Sequence, residues 1–205
     1  MAILIGIITG VLTGVISAAL FWWWQAKLMR PKLRLCPTIA RYRLARDEVD
    51  RYQIKVINGR RRLAVDLRVT VSIHLPDLVS PGSVETLSLH RFENPSLGKN
   101  IRYRIQPGHM PQDTQRRYLK YLPPHLATPI KNGNVVDLGE FFKLYEGAFL
   151  KVSATAIDSF SGASGFVQSK YYINSVKAGR FAGGRSCEHS GVFEEKDHED
   201  EDAHP

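Results

Sequence analysis

The chain has 205 residues, 43% hydrophobic and 23% charged, with 28 Lys plus Arg against 20 Asp plus Glu. That length suits one domain of ordinary size, and the composition supports an apolar core, which excludes a globally disordered chain. Two cysteines, Cys36 and Cys187, are too few for a disulfide framework or a four-ligand zinc site and read as unpaired thiols of a reducing compartment.

The net charge of +8 conceals a partition. From Glu188 to Pro205 eight acids face one lysine, a balance of −7, which leaves +15 on the rest of the chain. So basic a body suggests a polyanionic partner. The chain supplies a neighbour for that charge other than nucleic acid.

Ala2 to Trp24 carry no charged side chain. As a helix they extend about 35 Å, enough to cross a hydrocarbon layer of about 30 Å. Trp22, Trp23 and Trp24 close the run where amphipathic rings settle among headgroups. Lys27, Arg30, Lys32, Arg34, Arg41, Arg43 and Arg46 follow, with no acid before Asp47 and nothing basic ahead of the span. This asymmetry predicts a cell-membrane protein with its N-terminus outside and its C-terminal domain cytoplasmic. A cleaved signal peptide fits less well, because the run lacks a basic start and is too long. The basic flank also suits anionic lipid, at about 1 kcal/mol per charge near the surface.

Gly6, Gly10, Gly14 and Ala18 recur every fourth residue of the span, a glycine zipper that lets a second helix approach closely. They predict a homo-oligomer through the membrane helix, with Thr9 and Thr13 available for interhelical hydrogen bonds.

From Lys32 onward the dominant period is two. Val65, Leu67, Val69, Val71, Ile73 and Leu75 alternate with polar residues, the pattern of a half-buried strand. Tyr52, Ile54 and Val56 precede it, and Asn58-Gly59 between the runs predicts a hairpin. Further strands are expected at 33–35, 84–90, 101–105, 150–156 and 166–173, the last two joined by a turn at 158–162. The proline-rich stretch 107–139 reads as a long loop with a short helix near 114–121. Short strands separated by turns predict a mostly β fold, an immunoglobulin-like antiparallel β-sandwich preceded by a single N-terminal transmembrane helix. The expected organisation is a transmembrane helix over 2–26 and a basic juxtamembrane segment with the first strand over 27–50. The sandwich follows over 51–181 and a disordered acidic tail over 182–205.

The run Tyr52-Gln53-Ile54-Lys55-Val56-Ile57-Asn58-Gly59-Arg60-Arg61, with Leu63 and the long strand after it, resembles the cytoplasmic domain of inward-rectifier potassium channels. His125-Leu126-Ala127-Thr128-Pro129-Ile130, and Ala154 to Asp158 on to Tyr172, are similar to later stretches of that family. The resemblance covers residues 52–75 and 125–172 and implies an immunoglobulin-like fold on the cytoplasmic side. One span instead of two, and no Thr-Val-Gly-Tyr-Gly filter, separate this chain from potassium conduction.

No phosphate-binding glycine loop or nucleophile elbow is present. His109 and His125, with Asp113 nearby, would be a metal or acid–base site, in the latter case that of an undetected hydrolase. Cys187, Glu188, His189 and His198 would be a soft-metal set; neither group has ligand or triad spacing. No enzyme, metal or cofactor is expected. Arg60, Arg61 and Arg62 form the densest basic cluster beyond the membrane flank and suit a phosphate, a lipid headgroup or a nucleotide. Together with Lys27, Arg30, Lys32 and Arg34 they are the candidate anionic-lipid contacts. The resulting expectation is a membrane-anchored binding or sensing module for a protein or small ligand. The alternative is a membrane effector whose glycine-faced helices assemble and permeabilise the bilayer.

Overall fold

The computed structural model describes residues 2–43, 50–60, 62–98, 100–105, 110–134 and 136–190. Helix α1 (Ala2–Met29) is followed by β1 (Leu33–Leu35), β2 (Ile39–Tyr42), β3 (Arg51–Asn58), β4 (Ala64–Pro76), β5 (Val84–Leu97) and β6 (Asn100–Ile105). Then come α2 (Gln112–Tyr118), α3 (Pro124–Lys131), α4 (Leu138–Leu144), β7 (Phe149–Asp158), β8 (Ser164–Tyr171), β9 (Val176–Ala178), β10 (Arg180–Phe181) and β11 (His189–Ser190). The fold is mostly β, with one long apolar helix ahead of it.

Two main sheets enclose one core. The first sets β3 between β6 on one side and β1 and β2 on the other, with β9 parallel to β2. The second has the order β5-β4-β7-β8, antiparallel throughout. Period-two alternation does what the sequence implies: Leu67, Val69, Val71, Ile73 and Leu75 on β4 and Leu150, Val152, Ala154 and Ala156 on β7 are all buried. They meet Tyr52, Ile54 and Val56 of β3 in a single apolar cluster. Val65 departs from its expected face. The register slips between Val65 and Arg68 around Asp66, at φ 50°, and the bulge buries Ala64 instead.

The structure corrects the hairpin expected at Asn58-Gly59. β3 and β4 do not pair; the chain crosses there from the first sheet to the second. Asn58 turns inward, donating to the carbonyls of Arg62 and Leu97 and accepting from the Arg60 N–H, so its side chain staples an arch. β4 instead forms its hairpin with β5, through a turn in which Asp77 (φ 57°) accepts from Gly82 N. The β7–β8 hairpin stands as expected.

The stretch read as a long loop contains α2, near the expected helix, and also α3 and α4. Pro123 and Pro124, which read as breakers, stand at the start of α3, where a missing N–H costs nothing, while Pro129 lies inside the helix; Leu126 and Ile130 on one face enter the core. Asp137 caps α4 by accepting from Gly139 N, and Leu138, Phe141 and Phe142 are buried.

Residues 182–190, assigned by sequence to a disordered tail, form a folded clasp. β10 pairs with β11, and Cys187 is joined to Cys36 by a disulfide. The cysteines are therefore not unpaired thiols; folding brings together two positions 151 residues apart. Phe181 packs with Cys36, Ala40 and Ile57 on the outer face of the first sheet, which is why β3 is buried on both faces from Ile54 to Asn58. The expected sheet domain also begins earlier than residue 51, since β1 and β2 are members of the first sheet. The rest of the expected tail, 191–205, lies outside the described residues.

Candidate membrane-proximal binding rim

Within α1, Ile5–Trp24 has a mean hydropathy of 2.0 and buries nothing against the rest of the chain, so the helix is long and apolar enough to cross a membrane. A Cβ added at Gly6, Gly10 or Gly14 would meet nothing within 4 Å, and Ala18 is exposed, so the small-residue face is open. The Thr9 and Thr13 hydroxyls donate back to the carbonyls of Ile5 and Thr9, which leaves their oxygens only as acceptors toward a neighbouring helix. Lys27 Nζ stands 4.9 Å from the Trp23 ring centroid, a cation over an aromatic face near the end of α1.

Beyond α1 the chain enters the first sheet through Arg30, Pro31 and Lys32, and two loops close on this entry. Gly59 N donates to Lys32 O at 2.8 Å. Gly165 faces Pro31, where a Cβ would fall 2.6 Å from the Pro31 carbonyl oxygen. Both glycines read from sequence as ordinary turn formers, yet each is needed for close approach to the residues following the helix. Gly162, at φ +68°, does hold the expected turn.

The two loops also hold one another. Ser159 N donates to Leu63 O, and the Arg62 guanidinium lies 5.5 Å from the Phe160 ring centroid. Arg60 O accepts from Arg185 of the clasp. Asp158, buried beneath the turn, accepts from the N–H groups of Phe160 and Ser161 and from the Ser161 hydroxyl. Burial alone would raise its pKa; the bonds from Ser161 and Phe160 and the charge of Arg62 outweigh it and hold the carboxyl below its ordinary value.

The fold therefore collects the predicted contacts in part. Lys32, Arg60 and Arg62 share the rim where α1 joins the sheets, and Lys27 and Arg30 stand on the helix side of it. Arg34 lies one strand residue further on, exposed opposite Ile57. Arg61 lies outside the described residues. The rim adds what charge counting missed: Phe160 is 75% exposed and Leu63 46%, apolar groups beside Arg62, and Phe166, 65% exposed, follows Gly165 on β8. Phe166 was readable as the outward member of an alternating strand, but Phe160 stood in a turn with no periodic signal.

The other weighed sites separate. His125 is exposed on α3, and His109 lies outside the described residues. Cys187 is committed to the disulfide, and His189 Nε2 pairs with the Thr38 hydroxyl, which dissolves the soft-metal set. Among the described residues no group of three His, Cys, Asp or Glu is placed to hold a metal ion. A polar cavity of about 360 Å³ went unforeseen: Arg41, Arg43, Asp50, Tyr52, Asp137 and Lys143 line it. There Tyr52 donates to Asp137 at 2.6 Å, and burial first, then that bond, raises the phenol pKa. Tyr52 and Asp137 are 85 residues apart, beyond the reach of any local motif.

No protein-family model matches the chain, and no curated protein matches it. Among solved structures it is similar over 73% of its length to Spo0M, a sporulation control protein from Bacillus subtilis, at 10% identity and a TM-score of 0.31. The chain spans 50% of that protein's length.

Proposed function

We propose that this is a single-pass membrane protein that holds a non-catalytic, immunoglobulin-like binding module against the bilayer, with the rim around Arg60, Arg62 and Phe160 as its lipid-facing surface. The carrying observation is the hydrogen bond from Gly59 N to Lys32 O, seconded by Gly165 against Pro31. These contacts tie the arginine loop and the Phe160 turn to the residues that leave the span. Cationic side chains then meet anionic headgroups at about 1 kcal/mol each, while exposed apolar groups enter the interface. The open glycine face of α1 supports self-association in the same membrane.

The test compares the full chain in nanodiscs with and without anionic lipid by amide hydrogen exchange. Loops 59–63 and 158–163 are expected to exchange about thirtyfold more slowly over anionic lipid, as two engaged charges at about 1 kcal/mol each require. Arg60→Gln with Arg62→Gln should erase that difference; equal exchange in both lipids in the unaltered chain rejects the rim.

Orientation has two readings. The basic flank of α1 favours a cytoplasmic domain. The Cys36–Cys187 bond favours the opposite side, since disulfides persist in oxidising compartments. Treating intact cells with an impermeant reductant and an impermeant thiol reagent separates them: labelling places the domain outside, and labelling only after permeabilisation places it inside.

A further inference from the structure

The outer face of the first sheet is cationic. Strand alternation and register place Arg34 of β1, Arg51, Gln53, Lys55 and Ile57 of β3, and Asn100, Arg102 and Arg104 of β6 on the side away from the core. Each is neutral or basic. Arg102 and Arg104 are exposed, while Tyr103 and Ile105 between and beside them are buried. Arg102 stands directly across from Lys55, close enough for its charge, after burial, to help lower the Lys55 pKa. Among the described residues, Arg34, Arg102 and Arg104 form no ion pair with an acid.

The described chain ends on this same face. Ser190 pairs with Arg180, and His189 packs 4.8 Å from Phe181, whose ring lies 5.9 Å from Lys55 Nζ. Past Ser190 the sequence turns acidic: between Gly191 and Pro205 seven acids accompany one lysine. Three residues separate Ser190 from Glu194, so four chain steps give a reach of about 13 Å, and neighbouring strands lie only about 4.8 Å apart. The run of opposite charge is therefore tethered within reach of the uncompensated arginines, at a local concentration on the order of millimolar.

We infer that the acidic run Glu194–Asp202 docks across the outer face of the first sheet, on Arg102 and Arg104, as an intramolecular cover that other polyanions must displace. Exposed ion pairs contribute about 0.2–1 kcal/mol each, so the cover is held by several together and is loosened by salt. It uses none of the rim residues Arg60, Arg62 or Phe160, so its failure would leave the lipid-facing reading intact.

The test uses the full chain in detergent carrying Arg102→Lys and Arg104→Lys, which keep the charge and supply amines. After treatment with a zero-length carbodiimide, mapping is expected to find cross-links from both positions to carboxylates of 194–202 within single chains. They should fade in about 0.5 M salt, where screening acts within a few ångströms. Cross-links only between chains, or none to that run, overturn the proposal. A second arm truncates the chain after Ser190, with the intact disulfide checked on a non-reducing gel. The truncated protein should bind polyphosphate about tenfold more tightly than the full chain, as the loss of a few weak ion pairs requires. Equal binding also overturns it.

Discussion

Lys55 Nζ donates to Ser186 O at 2.8 Å, and to Ala182 O at 2.6 Å, so the buried ammonium is capped by the very segment that Cys187 ties to the first sheet. Cap and disulfide form one unit. Replacing both cysteines by alanine removes a closure over 151 residues and should lower stability by about 2–4 kcal/mol in chemical denaturation. The same change should let a small acylating reagent reach Lys55, which is 1% exposed in the closed clasp. Unchanged Lys55 reactivity would show that the clasp stays shut without the bond.

Gly165→Ala tests the contact with Pro31. The added Cβ would collide with backbone, which cannot swing aside, so a loss of about 1–3 kcal/mol is expected. Gly98→Ala is the matched control: nothing lies within 4 Å there, and its stability should stay within about 0.5 kcal/mol of the parent. Equal melting of the two variants would remove the close approach.

Asp158 gives a pH dependence with a definite sign. Its carboxyl is held below the ordinary value, so the folded state favours the ion more than the unfolded chain does. The contribution is present above the unfolded value of about 3.9 and is lost as pH falls through the lower, folded value. Asp158→Asn keeps one acceptor but not the charge, and should cost about 1 kcal/mol at neutral pH. The gap between parent and variant should close in acid; a constant gap would show that the charge contributes nothing.

Gly10→Leu fills the open face of α1 midway along the zipper. Association in bilayers, read by cross-linking, should drop to monomer, whereas Leu12→Ala, off the glycine row, should leave it intact. Persistence of the oligomer after Gly10→Leu would assign assembly to another surface.

The inward and outward faces of β7, and of β4 from Leu67 onward, are legible because alternation is a local property: each side chain's polarity reports the face its own strand buries; the bulge that turns Val65 away is not. Tyr52, Ile54 and Val56 were legible for the same reason. The partner of β3 was not, because Asn58-Gly59 has the chemistry of a tight turn, and only the inward bonds of Asn58 to Arg62 and Leu97 turn it into an arch between sheets. α3 was hidden by prolines whose effect depends on where in the helix they fall.

The chain alone determined a membrane-length apolar helix, a basic flank and a β-rich body, since hydropathy and period are carried by neighbouring residues. Tertiary structure alone decided that Cys36 meets Cys187, that Tyr52 meets Asp137, and that Arg60, Arg62 and Phe160 gather beside Pro31 and Lys32. Such meetings depend on which distant strands share a sheet. That choice is made by the burial of the whole core, and no single segment encodes it.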